Sequence, residues 1–466
     1  MSTKSIGILF SILFIVKISS IYYTNFDLFG DEAQYWLWSK KLDFGYFSKP
    51  PFLSWFIWLY ISIFGESFVS LKMMPSLVYF LVAVSLYNLC RNIGLEKLSS
   101  LSCVFLFLFI PAVSFSSFFV TTDLFLIFFW TLSLSFLIKI KKSPSTINFI
   151  LLGIFIGLAF LSKYAAIYFL ISCFIYILLD KDFRKAILSN YIGFFLGIIC
   201  VFIIVLPNII WNLNNGWVTL QHTSDNANLD DVNISLSRGF AFLLAQILMV
   251  GPILFLGNIV NFKKIEFSSN KKILLIFSLP IFLIVFIEAI AVRANANWAA
   301  PAIVSFFLYL YLNIYSLKSI YLKINIVFNF VFCLIFFTLI GFSYPAKIFD
   351  RIIGINDYAN NVMNEINKSG IKDFVISDRL IFASFAYELK GYNFNFHMPH
   401  REFERITNHF KITSPLDKEM ENSFVLIGHK SDIDYLNNDF TCENRKLEKQ
   451  YEKDKRITQS FKICFN

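Results

Sequence analysis

Residues 101–142 read LSCVFLFLFIPAVSFSSFFVTTDLFLIFFWTLSLSFLIKIKK. From Leu101 to Ile138 this run is apolar for longer than one bilayer crossing of about 20 residues requires, and its only polar break is Thr121-Thr122-Asp123. Two spans joined by a tight turn account for it, with Lys139, Lys141 and Lys142 closing the second. The whole chain has the same character. Of its 466 residues, 57% are hydrophobic and only 16% charged, with a mean hydropathy of +0.63. An ordinary soluble fold does not carry so much apolar surface, so the chain reads as a polytopic α-helical membrane protein. The formal charge of +9 is placed in cytoplasmic loops rather than on a nucleic-acid-binding face, since no basic stripe with interleaved aromatics is present.

Working outward, the apolar runs number about eleven at spanning length. The first, Ile6 to Tyr23, follows Lys4 and lacks a small-residue cleavage site, so it reads as a retained anchor. Others run from Val69 to Cys90, through the pair already quoted, and through Ile147 to Leu179, which Ser162-Lys163 divides into two short spans. Tyr191 to Trp211 follows, and then, beyond the polar loop from Asn212 to Arg238, a span on each side of Lys263, Lys264, Lys271 and Lys272. The span after Lys272 ends at Arg293. Another begins near Trp298, and the last closes at Tyr344. Phe52 to Phe64 is too short to cross and is expected to lie along the interface.

Every second connection is basic: 91–97, 139–142, 181–185, 263–272 and 318–323. The positive-inside rule assigns these to the cytoplasm and puts the N-terminus inside. The alternating connections, which hold Asp31, Asp123, Lys163, residues 211–238 and Arg293 to Trp298, then lie on the outer side. The expected division is a transmembrane domain over residues 1–344, with a first outer loop at 24–67, and a soluble outer domain over 345–466. In that tail, Phe374 to Ser377 and Asn422 to Gly428 read as strands, Asp378 to Leu389 as a helix ended by Gly391, and Ser431 to Asn438 as a short helix, which makes a small α/β domain. Of the seven cysteines, Cys90, Cys103, Cys173, Cys200 and Cys333 fall in apolar runs. Cys442 and Cys464 lie in the tail and could pair in an oxidising compartment.

This topology collects the unusual polar residues on one side, and ionisable groups at membrane depth usually line a functional cavity. Asp31 and Glu32 in Gly30-Asp31-Glu32-Ala33-Gln34-Tyr35-Trp36 could act as a general base, a divalent-cation ligand or an acceptor-binding pair, or could simply start an interfacial helix. Lys49, stiffened by Pro50-Pro51, suits a phosphate oxygen and equally suits a lipid headgroup. Asp123 is either a turn cap or a second acid of the cavity. Lys163 and Arg293 could neutralise a phosphate-bearing substrate or snorkel to the interface. Trp211, Asn212, Asn297 and Trp298 offer aromatic faces and amides that fit a sugar or an interfacial belt.

Taken together, Asp31 to Trp36 with Gly45-Tyr46-Phe47-Ser48-Lys49-Pro50-Pro51, Thr122-Asp123, Leu161-Ser162-Lys163-Tyr164, Trp211-Asn212 with Gly216-Trp217, and Asn297-Trp298-Ala299 resemble the recurring elements of one superfamily, in its order. It is that of the bacterial protein-mannosyltransferase-like glycosyltransferases, which includes the lipid A aminoarabinose transferases. The likeness covers roughly residues 6–345 and extends weakly into the tail at Ser377-Asp378-Arg379-Leu380. It implies a family C glycosyltransferase (GT-C) fold with an active site facing away from the cytoplasm of a bacterial inner membrane. It also implies transfer, with inversion, of a sugar from a polyprenyl-phosphate donor to a lipid A phosphate or another envelope lipid or glycan. By the same resemblance Asp31 and Asp123 are the cavity acids, Lys49 binds phosphate, and Lys163 with Tyr164 matches a Ser-Lys-Tyr element. Glu32, Arg293, Trp211, Asn212, Asn297 and Trp298 complete the expected substrate-binding set. Ser48 stands where relatives often carry Glu, Asp or His, which argues against a metal site built from that neighbour and leaves Asp31 as the one candidate ligand for a divalent cation. A protein O-mannosyltransferase and a non-catalytic flippase of lipid-linked sugars are the alternatives.

Overall fold

The computed structural model describes residues 3–227, 232–317, 320–366, 369–401, 404–417, 419–445 and 460–465. Its α-helices of six or more residues, in chain order, are α1 (Thr3–Tyr23), α2 (Gly30–Ser39), α3 (Phe52–Phe64), α4 (Phe68–Asn92), α5 (Lys97–Leu108), α6 (Pro111–Ser116) and α7 (Asp123–Lys142). There follow α8 (Thr146–Ser162), α9 (Ile167–Leu179), α10 (Lys181–Ser189), α11 (Tyr191–Asn214), α12 (Val218–Ala227) and α13 (Leu236–Val250). Then come α14 (Pro252–Val260), α15 (Ser269–Ile276), α16 (Leu279–Ala291), α17 (Ala300–Ser316), α18 (Ile320–Gly341), α19 (Ile355–Ile366) and α20 (Arg379–Glu388). The chain forms two compact units, one of residues 1–22, 49–53 and 69–339, the other of 23–48, 54–68 and 340–466.

The first unit is the helical membrane body. Among the described residues six helical segments are long and apolar enough to cross a bilayer, and two bent helix pairs raise the number to eight if each is one span. The bends are 101° between residues 164–179 and α10, and 98° between α13 and α14. All the expected apolar runs are helical, but several are broken. The run after Leu101 divides into α5 and α6 at Pro111, whose ring cannot continue the α5 hydrogen-bond ladder. At the second bend Gly251 has φ +113°, a conformation that favours glycine, and Pro252 opens the next helix. The loop expected from Asn212 to Arg238 is partly helical, containing α12 and the start of α13.

Helix α7 shows why these segments hold their register. Asp123 begins it and Lys139, Lys141 and Lys142 end it, so charge of each sign meets the complementary end of the helix dipole. The basic connections then meet at one end of the unit. Lys141 bonds Asp180 at 2.6 Å and Ser269 at 2.9 Å, Lys142 donates to Asn92 O, Asn270 donates to Ile93 O at 2.8 Å, and Lys272 donates to Leu179 O at 3.0 Å. Of the last basic connection, Lys318 lies outside the described residues. Helices α8 and α11 pack backbone to backbone: a Cβ on Gly153 would lie 2.0 Å from Gly197 O, and one on Gly197 would lie 2.6 Å from Phe149 O. Small residues four apart on each helix permit this approach, as in other lipid-embedded helix pairs.

The second unit contains a five-stranded sheet, β1 (Asp373–Ile376), β2 (Asn395–His397), β3 (Phe424–Gly428), β4 (Thr441–Arg445) and β5 (Ser460–Phe465), in the order β2-β1-β3-β5-β4. Strand β1 pairs parallel with β2 and β3, whereas β5 runs antiparallel to β3 and β4. The continuous apolar runs of β1 and β3 are buried throughout, as central strands require. Cys442 and Cys464, opposite each other in the β4–β5 register, form a disulfide. Residues 23–48 and 54–68, most of the loop expected to face outward, fold into this same unit. Asp27 accepts from Ile355 N at 2.7 Å and donates its own N–H to Ile352 O at 2.8 Å, and Phe26 packs against Phe349 with ring centroids 4.9 Å apart.

Candidate active-site clusters

The membrane unit brings five expected residues into two adjoining hydrogen-bonded groups. Asp123 is the first residue of α7, and Lys163 is the extended residue that ends α8, so helix ends from different parts of the chain deliver them. Lys163 Nζ lies 2.6 Å from Asp123 Oδ1, and Asn297 Nδ2 donates to Asp123 Oδ2 at 3.2 Å. Both oxygens of the acid are therefore occupied. The side chains of the ion pair keep 17% and 11% of their surface exposed, so the pair is shielded but not sealed. A pair in such surroundings is held by charge-assisted hydrogen bonds, and removing either partner leaves the other desolvated and unmatched.

Tyr164 follows Lys163 in sequence and ties it to α11. Its hydroxyl donates to Asn208 Oδ1 at 2.8 Å and accepts from Asn212 Nδ2 at 3.1 Å. Asn212 also donates to Asn208 O, one turn back, while its own Oδ1 is buried without a partner among the described residues. Trp211 is buried beside it. The segment carrying Asn297 is held from another helix, since Gln246 Nε2 of α13 donates to Ala296 O at 2.9 Å. Trp298 is half-buried and Arg293 is exposed; among the described residues no hydrogen bond or ion pair joins Arg293 to the Asp123 group. Lys49 is half-buried before the buried pair Pro50-Pro51.

The second unit presents Asp31 in the first turn of α2. Glu32 takes the structural part of the acidic pair: its carboxylate accepts from Phe29 N at 2.8 Å and closes half of a capping box, with only 3% of the residue exposed. Asp31 instead meets the tail. Arg379 Nη1 lies 3.3 Å from Asp31 Oδ1 and donates to Gln34 Oε1 at 2.6 Å. Arg379 opens α20, whose N-cap is Asp378, accepting from Leu380 N and Ile381 N. The two helices touch closely enough that a Cβ on Gly30 would lie 2.7 Å from Leu380 Cβ. Trp36 packs edge-on against Tyr387 at 5.0 Å, and Lys40 and Trp36 Nε1 both bond Glu66.

Gln34, Arg379, Asn208 and Gln246 are the residues that sequence reasoning passed over. A signal existed for Asn208, which stands one helical turn before Asn212, and for Arg379, which lies in the tail segment already noted for its resemblance. Among the described residues no three His, Cys, Asp or Glu side chains gather as a metal site would need, and the group beside Asp31 is a guanidinium.

Residues 48–211 match the family described as dolichyl-phosphate-mannose-protein mannosyltransferase. A lipid A galacturonosyltransferase, RgtD of Rhizobium johnstonii, is 32% identical over 284 residues, which is 60% of this chain and 59% of that protein. A lipopolysaccharide core galacturonosyltransferase of the same organism, RgtB, is 27% identical over 46% of this chain and 43% of its own. The chain thus spans 59% and 43% of the length of these two relatives, under two thirds of each. Among solved structures, ArnT from Cupriavidus metallidurans bound to undecaprenyl phosphate superposes with a TM-score of 0.69 at 13% identity, covering 99% of this chain and 98% of that one. The apo form of the same protein gives 0.67 at 12% identity, with the same coverage. The family resemblance and the GT-C fold expected from the motifs are both upheld, and the chain is a multi-pass membrane protein.

Proposed function

We propose that this chain, a relative of the protein-mannosyltransferase-like enzymes built on the GT-C fold, is an integral membrane glycosyltransferase. It moves a sugar from a polyprenyl-phosphate carrier to an envelope lipid or glycan. The observation that carries the reading is the Lys163–Asp123–Asn297 group: a cation held at a helix end by an acid, in a fold shared with a protein whose structure holds undecaprenyl phosphate. Cleaving the bond between the anomeric carbon and the donor phosphate oxygen requires charge stabilisation on the departing polyprenyl phosphate. Lys163 and Lys49 supply cations for that purpose. The acceptor oxygen forms its new bond on the opposite face of the sugar, which inverts the anomeric centre.

Asp31 serves the acceptor. A hydroxyl acceptor would give it the proton; a phosphate acceptor is already nucleophilic and needs only orientation. The relatives named for lipid A and lipopolysaccharide core favour a lipid-linked acceptor over a protein. The outer side of a bacterial inner membrane is the location we assign. The gathered basic loops support a cytoplasmic face for that end of the helical unit, and the Cys442–Cys464 disulfide supports an oxidising compartment for the tail.

The competing reading is a flippase that binds the same donor without chemistry. Purified protein in vesicles loaded with a polyprenyl-phosphate sugar separates the two. Release of free polyprenyl phosphate with the sugar bonded to a co-reconstituted lipid A supports the enzyme; donor translocation with no covalent product contradicts it.

A further inference from the structure

An acid that must work beside an anionic acceptor faces an electrostatic problem. A carboxylate repels a phosphate unless a cation stands with it, and like charges brought together across a binding surface discriminate strongly against the ligand. The second unit contains the cation. Arg379 Nη1 lies 3.3 Å from Asp31 Oδ1, a long contact for an ion pair, but 2.6 Å from Gln34 Oε1. Gln34 is 2% exposed, so the short bond is made to a side chain fixed inside the unit. The guanidinium is therefore anchored by Gln34 and only leans on Asp31.

Arg379 uses one nitrogen for both contacts. Its side chain is 33% exposed and that of Asp31 35%, and among the described residues no further hydrogen bond takes up Nε, Nη2 or Asp31 Oδ2. A planar fork with unused N–H donors beside a half-exposed carboxylate is the arrangement that binds a phosphate monoester bidentately. The backbone under it is stiff. Glu32 caps α2, Asp378 caps α20, and Gly30 lets Leu380 come within the space a Cβ would fill.

We propose that Arg379 is the acceptor-selecting residue, which offsets the charge of Asp31 and binds the phosphate monoester of an anionic lipid acceptor through its free N–H edge. This rests on the transferase reading above and adds to it the residue that selects a phosphate-bearing acceptor. It also gives the tail a part in acceptor choice rather than in folding alone.

The test is steady-state kinetics on the purified full-length chain in detergent, with a polyprenyl-phosphate sugar as donor and lipid A as acceptor, comparing Arg379→Gln and Arg379→Lys with the unaltered protein. For Arg379→Gln the acceptor KM should rise about tenfold or more while the donor KM stays within about twofold. Arg379→Lys, which keeps the charge and loses the fork, should recover most of that loss. An unchanged acceptor KM, or a fall in kcat alone with Lys no better than Gln, overturns the proposal and leaves Arg379 as a structural pin. If Arg379→Gln does not give a cooperative unfolding transition, Gln34→Leu decides: freeing the guanidinium should raise the acceptor KM and spare the donor KM, and an unchanged acceptor KM overturns the idea. Unaltered protein that transfers only to an uncharged acceptor overturns this inference and leaves the transferase reading standing. No transfer to any acceptor overturns both.

Discussion

Lys163 Nζ and Asp123 Oδ1 lie 2.6 Å apart although the two residues are separated by 40 positions and by the whole of α7 and α8. The pair is made by helix ends, so each charge is fixed by the packing of a different helix. If this group works as a unit on the donor phosphate, its members cannot contribute independently. Lys163→Met and Asp123→Asn should each lower transfer by roughly 100-fold, and the double variant should be little worse than either single one. Losses that multiply in the double variant would show two separate roles.

The α8–α11 crossing should be intolerant of a single methyl group. Gly153→Ala places a carbon where Gly197 O now lies, with no flexible side chain to yield, and should destabilise the helical unit by about 3 kcal/mol. Gly7→Ala meets nothing within 4 Å and should be neutral. Thermal unfolding in one detergent compares them; equal midpoints would mean that the two helices separate easily.

Stability of the second unit should depend on pH through two carboxyls. Burial, and then the charge of Asp27, push Glu388 up to about 7, while Lys390 and a bond from Asn356 pull it back. Burial likewise raises Asp27 to about 6 against three backbone N–H bonds. Folded-state values above the ordinary carboxylate range mean that folding takes up protons. This contribution is therefore largest at low pH and is lost as pH rises from about 4.5 to 7. Glu388→Gln should raise stability at pH 8 by about 1–2 kcal/mol and flatten that window. An unchanged pH profile would return Glu388 to a solvated surface role.

Much of the fold was legible because it rests on long apolar runs and on the alternation of basic loops. The geometry of the breaks was not legible. A run such as 101–120 fixes hydrophobicity but not whether Pro111 kinks or ends a helix, and the Gly251-Pro252 pair marks a break without revealing that it bends the chain through 98°. Lys17 and Lys72 were also missed. Each is a cation inside an apolar helix, yet each is buried: Lys17 Nζ donates to Ser117 O at 2.8 Å, and Lys72 lies over the rings of Phe118 and Phe119. In the candidate site, motif order and topology pointed to Asp123 with Lys163 and Asn297. The Arg379–Asp31 contact joins residues 348 positions apart, a separation at which only tertiary packing decides neighbours. The strands β4 and β5 escaped notice because β4 is a largely polar strand at the edge of the sheet and β5 buries Lys462 among its apolar residues.

That disulfide is itself open to measurement. Peptide mass spectrometry of protein isolated under alkylating, non-reducing conditions should find Cys442 and Cys464 linked and the five remaining cysteines as thiols. Two free thiols at 442 and 464 would remove the disulfide support for an oxidising compartment around the tail.

The most direct measurement is sugar transfer itself. Purified protein and its Asp31→Asn variant, matched for unfolding midpoint, are incubated with a radiolabelled polyprenyl-phosphate sugar and bacterial envelope lipid. The account predicts that label passes into the lipid with the unaltered protein, and that the substitution lowers the rate by at least about 100-fold. Near-normal transfer by Asp31→Asn would remove that acid from the mechanism, and no transfer by the unaltered protein from any polyprenyl-phosphate sugar would contradict the enzyme.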